Sequence, residues 1–281
     1  MKSLIQDIIG REQKVISYSS PDDTLMRRLL INSIELSTGR GRIEKAYKQL
    51  TQLDIHDVSI WDHVFPLLEI ELKFNREKLS SIPHNVPVVI IANHPYGVAD
   101  GMALGYVLSK LRTNFRLVVN EVLCREQVLG KYFLPIDFRD TKSAMMTNIQ
   151  TRRTSMSFLA EGGALGIFPS GGVSTTPKIW HRTAQDLEWK KFVIKLVRQK
   201  NVYVVPIFFK GQNSASFQIA SHIHPNIRLA LLLNELRRKR KRSLEFVVGD
   251  VLGPDTIQRV SRSELLSFLK SKTFELKSTC L

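Results

Sequence analysis

From about residue 82 onward the chain alternates short, wholly apolar runs with longer amphipathic ones, and few architectures accept that rhythm. The runs fall at 86–92 (VPVVIIA), 115–119, 165–168, 202–209 and 244–248. Each has the length of a strand, and none shows the polar alternation of a half-exposed one, so both faces are expected to be buried. Helix-like stretches lie between and after them, at 99–111, 141–160, 184–200, 227–240 and 263–275. Strand and helix in turn predict an α/β fold, a mostly parallel central sheet flanked by helices. Ligands in such sheets bind beyond the carboxyl ends of the strands.

Residues 1–80 read differently, as an N-terminal helical segment ahead of an α/β domain over 81–281. Pro21-Asp22-Asp23 is a helix start with acidic residues placed well for the dipole. Leu25, Met26, Leu29, Leu30 and Ile34 follow at helical spacing, with Arg27 and Arg28 beside that face, a composition that suits either an interfacial helix or one packed on the core. Gly39 and Gly41 interrupt the pattern, Ile43, Tyr47 and Leu50 resume it, and a third helix is expected from 58 to about 74.

The 281 residues, 43% hydrophobic, suffice for one substantial core. Lys and Arg number 41 against 26 Asp and Glu, a formal charge of +15 that favours polyanions such as nucleic acid, anionic lipid or an acidic carrier protein. Aromatic stacking platforms and recognised nucleic-acid motifs are missing from the sequence, so nucleic acid is not expected. Cys124 and Cys280 show no disulfide or metal spacing, which suggests a reducing compartment. Gln6 and Asp7 break any signal-peptide core, and no apolar run nears the ~18–20 residues that span a bilayer.

Two strand ends carry chemistry. The first is Asn93-His94-Pro95-Tyr96-Gly97-Val98-Ala99-Asp100. Pro95 biases His94 toward extended backbone, Gly97 permits a sharp turn, and Asp100 falls in the first turn of the next helix. An imidazole beside a carboxylate is a serviceable general base. By spacing alone the pair reads equally well as a loop residue and a helix-start residue. The second is Phe168-Pro169-Ser170-Gly171-Gly172-Val173-Ser174. Consecutive glycines let backbone N–H groups approach a ligand oxygen, although a plain glycine-rich turn explains them too. Ser170 lacks the glycine two residues before it that a nucleophile elbow has, and no Gly-Lys-Ser/Thr of a Walker loop follows.

Together these segments resemble the glycerolipid (lysophosphatidate-type) acyltransferase superfamily. The first signature of that superfamily, a His and an Asp after a strand, is matched by Asn93-His94-Pro95 through Asp100. The third is matched in part by Phe168 to Ser174, the fourth by Val204-Val205-Pro206-Ile207, and the second loosely by Gly130, Phe133 and Arg139. The likeness is closer to the haemolysin-like branch, which includes acyltransferases of ornithine lipids, through 210–214 and 230–236 as well. The resemblance implies direct acyl transfer from an acyl-carrier-protein or coenzyme A thioester to a lysolipid hydroxyl, the acceptor being a lyso-ornithine lipid or a lysophospholipid such as 1-acylglycerol-3-phosphate. His94 would take the hydroxyl proton and Asp100 would orient the ring. Asn93, Pro95, Gly97, Arg139, Phe168, Pro169, Ser170, Gly171, Gly172, Ser174 and Pro206 would line the substrates, with the Gly171–Gly172 backbone at the thioester oxyanion. It implies no metal or other cofactor, and a peripheral place on an anionic membrane, at the cytoplasmic face of an inner membrane.

Two departures matter. Five residues separate His94 from Asp100 where the commonest pattern has four, as in the haemolysin-like branch. Ser170 and Val173 stand where the superfamily has Glu and Arg, residues associated with a phosphorylated acceptor, which leaves room for a lyso-aminolipid. The rivals are an acyl hydrolase using Ser170 and a non-catalytic basic protein binding lipid or nucleic acid.

Four further features have simpler readings. The run Arg237-Arg238-Lys239-Arg240-Lys241-Arg242 could dock an anionic leaflet or an acyl carrier, or cap a helix. Gly97, Gly101 and Gly105 suggest close packing of a helix on the sheet. His222 and His224 read as structural. Cys124 reads as a small buried apolar residue.

Overall fold

A seven-stranded sheet organises the molecule, with strand order β1-β7-β6-β2-β5-β3-β4. In the computed structural model, the described residues are 40–279 except 126 and 127, together with 24, 25, 29, 31 and 33. The strands are β1 (Glu71–Lys73), β2 (Val88–Ala92), β3 (Phe115–Asn120), β4 (Phe133–Ile136), β5 (Ala164–Ile167), β6 (Tyr203–Phe209) and β7 (Ser243–Val248). The helices are α1 (Arg40–Thr51), α2 (Ile60–Leu68), α3 (Val98–Leu111), α4 (Lys142–Ala160), α5 (Phe192–Val197), α6 (Ala215–Ile223), α7 (Pro225–Arg238), α8 (Pro254–Arg259) and α9 (Leu265–Glu275). Every strand pairing is parallel except β6 with β7.

β2 lies at the centre, and all five of its residues are buried. Val88, Ile90 and Ala92 join the core shared with Trp61 of α2, Leu104 and Leu108 of α3, and Leu232 of α7. Val89 and Ile91 point the other way, toward Leu159 of α4, Leu196 of α5 and Leu269 of α9. Two-fold alternation therefore sends one strand into two separate cores, which is why the run carries no polar position.

The sheet departs from the sequence reading at particular places. The helix expected over 58–74 stops at Leu68, where Glu69 turns left-handed at φ 55°. Ile70, Leu72 and Phe74 then alternate, and Glu71–Lys73 pairs with β7, so this part of the N-terminal segment is built into the same sheet. The helix expected over 184–200 is reduced to α5, because residues before it are drawn into tertiary contacts described below. β4, α6 and α8 were not foreseen. Of the helix read across Leu25 to Ile34, Leu25, Leu29 and Ile31 are helical, while Met26, Arg27, Arg28, Leu30 and Ile34 lie outside the described residues, as does Cys280. Cys124 is half-buried, and burial followed by the Glu121 charge pushes its thiol up to about 12.

The glycine spacing on α3 serves a different neighbour from the one expected. A Cβ on Gly105 would sit 2.3 Å from the Trp61 ring, so the close approach is to α2. On the sheet side the room comes from Gly166 of β5, where a Cβ would meet Leu104 and Leu108. Nothing lies within 4 Å of the corresponding point on Gly101.

Candidate active site

The carboxyl end of β2 is fastened before the site begins. The buried Asn93 amide brackets the Phe209 backbone, donating to its carbonyl at 2.9 Å and accepting from its N–H at 2.7 Å. One side chain thus extends the β2–β6 ladder by one step and fixes where His94 starts. Gly97 then turns with φ +83°, and a Cβ there would lie 2.9 Å from both Leu232 and Val173.

This turn returns Asp100, in the first turn of α3, to His94. The Asp100 side chain is wholly buried, the His94 side chain is 15% exposed, and Oδ1 stands 3.1 Å from Nδ1. The ring N–H is not aimed well enough at that oxygen for a hydrogen bond, so the contact is electrostatic in this state. The carboxylate is held by the Tyr96 N–H on Oδ2 and the Gly101 N–H on Oδ1, each at 2.9 Å. Nδ1 faces the carboxylate, which leaves Nε2 on the outer edge of the ring to accept a proton. Phe168 stacks on the imidazole, with ring centroids 3.9 Å apart and planes 21° from parallel.

The His94 backbone is held from the other side by a residue the sequence reading passed over. Asp186 Oδ1 accepts the His94 N–H at 3.0 Å and the Ser174 hydroxyl at 2.5 Å, and Oδ2 accepts the Trp189 indole N–H at 3.0 Å. The Ser174 N–H donates to the His94 carbonyl at 2.7 Å. Asp186 sits in the stretch read as helix, where it resembles an ordinary N-terminal polar residue. Only the fold brings it to β2.

The Phe168–Ser174 loop lies against this cluster. The Gly171 N–H donates to the Phe168 carbonyl at 2.9 Å and therefore closes the turn, leaving Gly172 as the amide of the pair that could face a ligand. Phe138 covers Gly171, and Leu187 and the Arg228 guanidinium flank Gly172, the latter 3.7 Å from its Cβ position. Arg228 donates to the Val173 carbonyl at 2.5 Å, and its burial lowers its pKa. Ser170 is buried and its hydroxyl donates to the Gly172 carbonyl at 3.0 Å, a turn-closing role in which no base holds it as a nucleophile. Pro169 gives its carbonyl to the Lys190 N–H.

Arg139 and Pro206 have other work. The Arg139 guanidinium grips Asp137 and Glu121, and that hydrogen bonding lowers the Asp137 carboxyl to about 2. Pro206 lies in β6 opposite Ile91, where the Gly249 N–H donates to its carbonyl at 2.8 Å and the chain after β7 stays against β6 as far as Leu252. Tyr96 donates its hydroxyl to the Lys210 carbonyl at 2.7 Å; burial, then the Asp100 charge, raises its pKa. The Lys239 ammonium sits 3.5 Å over the Tyr96 ring, and burial followed by the Arg242 charge brings it down to about 8. His222 shares a hydrogen bond with the Thr176 hydroxyl at 2.9 Å, in keeping with a structural role.

A histidine backed by a buried carboxylate at the mouth of a parallel sheet defines an α/β enzyme fitted to take a proton from an incoming nucleophile. A family model described as Acyltransferase matches residues 69–280. The chain belongs to this acyltransferase family and is an acyltransferase. It is 26% identical over 215 residues to a lyso-glycine lipid O-acyltransferase of Phocaeicola vulgatus, covering 74% of each chain. It is 27% identical over 188 residues to one of Bacteroides thetaiotaomicron, covering 64% of this chain and 66% of that one. Among solved structures it is similar to the 1-acyl-sn-glycerophosphate (LPA) acyltransferase PlsC of Thermotoga maritima, at TM-score 0.46 and 14% identity over 90% of this chain and 98% of that one.

Proposed function

We propose that the protein transfers an acyl chain from an acyl-carrier-protein or coenzyme A thioester to the hydroxyl of a lysolipid whose head group is an amino acid with a free carboxylate. The observation that carries the proposal is the His94–Asp100 pair, a base with its outer nitrogen available and a buried negative charge behind it. As the hydroxyl oxygen attacks the thioester carbonyl, Nε2 takes its proton and Asp100 stabilises the imidazolium. Collapse of the tetrahedral intermediate breaks the carbon–sulfur bond, and the imidazolium returns the proton to the departing thiolate. The Gly172 N–H is the donor in reach of the oxyanion, a contact of the kind worth about 3–4 kcal/mol. No acyl-enzyme is needed.

The names of the two relatives support an aminolipid acceptor. So does position 173, where the superfamily has Arg and this chain has a buried Val packed toward Gly97. The cation beside the loop comes from Arg228 of α7 instead, and its planar fork suits a carboxylate. We place the reaction at the cytoplasmic face of an inner membrane, with the protein bound peripherally. No described helix is long and apolar enough to cross a membrane.

The test offers labelled acyl carrier protein and coenzyme A thioesters with lyso-glycine lipid, lyso-ornithine lipid, lysophosphatidate, or no acceptor. Wild-type protein is expected to acylate the aminolipids, and folded His94→Ala to lose transfer by roughly 10²–10⁴-fold. Free fatty acid released without an acceptor, and lost in Ser170→Ala, would establish a hydrolase instead.

A further inference from the structure

The chain between the two residues that hold the His94 backbone, Ser174 and Asp186, is a hairpin with an unusual tip. Thr175 and Gln185 exchange both backbone hydrogen bonds, at 3.1 and 2.9 Å, and the His181 N–H closes a turn on the Lys178 carbonyl at 2.9 Å. The central positions of that turn are Ile179 and Trp180, exposed by 51% and 71%. Glycine, proline, asparagine, aspartate and serine are the ordinary occupants of such positions, each for a backbone reason. Isoleucine and tryptophan offer the turn nothing, and in solvent their apolar surface stays hydrated.

The hairpin is braced rather than loose. The Gln218 side chain accepts the Thr176 N–H at 3.0 Å, and the Gln212 amide joins the Ala184 N–H to the Arg182 carbonyl at 2.8 and 2.7 Å. Two cations flank the tip: Lys178, with its ammonium 5.4 Å from the Trp180 ring, and exposed Arg182. An indole beside an aliphatic side chain, flanked by cations, matches the boundary between acyl chains and anionic head groups.

We infer that residues 175–185 are the element that enters the lipid surface, with Ile179 and Trp180 seated at the interface of an anionic leaflet. The inference rests on the lysolipid acceptor proposed above. The legs of the hairpin then hold His94 just behind the docked surface, so an acceptor hydroxyl can reach the base while its chains remain partly in the bilayer. The 237–242 run is not required as the main anchor. In it, Lys239 turns inward, Arg240 pairs with Glu69 at 2.5 Å and Arg237 bonds Asn234.

Tryptophan emission tests this in the full chain, because Trp61 and Trp189 are buried and acrylamide therefore reads Trp180. Vesicles of phosphatidylglycerol with phosphatidylcholine are expected to shift the emission to the blue and shield it from the quencher. The Ile179→Ser/Trp180→Ser double variant should bind them roughly tenfold more weakly. Its melting temperature and its turnover of a short-chain, monomerically soluble lysolipid should match wild type. Wild-type vesicle binding with Trp180 still quenched, or undiminished in the double variant, overturns the inference. So does shielding by acyl carrier protein, or by raised protein concentration, without lipid. Failure to bind either these vesicles or pure phosphatidylcholine ones also overturns it. Turnover of the soluble acceptor, measured alongside, separates each of these outcomes from failure of the acyltransferase reading itself.

Discussion

At the scale of single residues, two carboxylates divide the task of placing His94. Asp100 addresses the ring and Asp186 the backbone, and both follow the histidine in the chain, one within the next turn and one far downstream. Asp100→Asn keeps an acceptor for a backbone N–H but removes the buried negative charge that would balance an imidazolium. Its kcat should fall by about 10²–10⁴-fold with KM close to wild type. Asp186→Asn should fail differently. Three donors converge on the two Asp186 oxygens, so an amide nitrogen in either orientation meets a donor. The expected cost is about 1–3 kcal/mol of stability, seen as a lower melting temperature, together with a reduced kcat at unchanged KM as His94 loses its fixed backbone. Asp100 was legible as a candidate because only five residues part it from His94, and the resemblance to the acyltransferase signature chose between the two readings of that spacing. Asp186 was not, because 91 residues intervene and its local pattern is that of a helix start.

At the scale of elements, tertiary contacts overrode local pattern wherever a polar side chain had a better partner elsewhere. The stretch before α5 gives up helix because Asp186 and Trp189 bond into the His94 cluster. The basic end of α7 shows the same conflict of readings. As a sequence it is a solvated or lipid-facing run, yet Lys239 lies half-buried over Tyr96. Its pKa is depressed in the fold to about 8, so between there and the ordinary lysine range the unfolded chain binds more protons than the folded one. Stability from this group therefore rises with pH across that window. Lys239→Met should raise the melting temperature near neutral pH, and the difference from wild type should shrink as pH climbs past about 8. Thermal melts of both proteins across that range would check it, and a gap that widens with pH would refute the sign.

For the molecule as a whole, the charge of +15 acts at a distance that the hairpin tip cannot. Exposed charges are screened beyond a Debye length, which shrinks from about 30 Å at 0.01 M salt to about 8 Å at 0.15 M. Association with anionic vesicles should therefore weaken steeply over that range, while the blue shift of the fraction still bound stays constant. Flotation assays in graded salt, with emission spectra of the bound protein, separate the two contributions. Binding indifferent to salt would mean that apolar insertion alone holds the protein there.

By itself the sequence determined the layered α/β class and offered the His94–Asp100 pair as one of two readings of its spacing. Strands buried on both faces must be continuously apolar, and a base and its carboxylate five residues apart can be joined by one turn. The tertiary structure alone decided the strand order, the reversed β7, the short edge strands β1 and β4, and the recruitment of Asp186 and Arg228. Hydrophobic period records which face of a segment is buried but not which segment lies beside it. Hydrogen bonds between residues distant in the chain leave no local mark for a pattern to read.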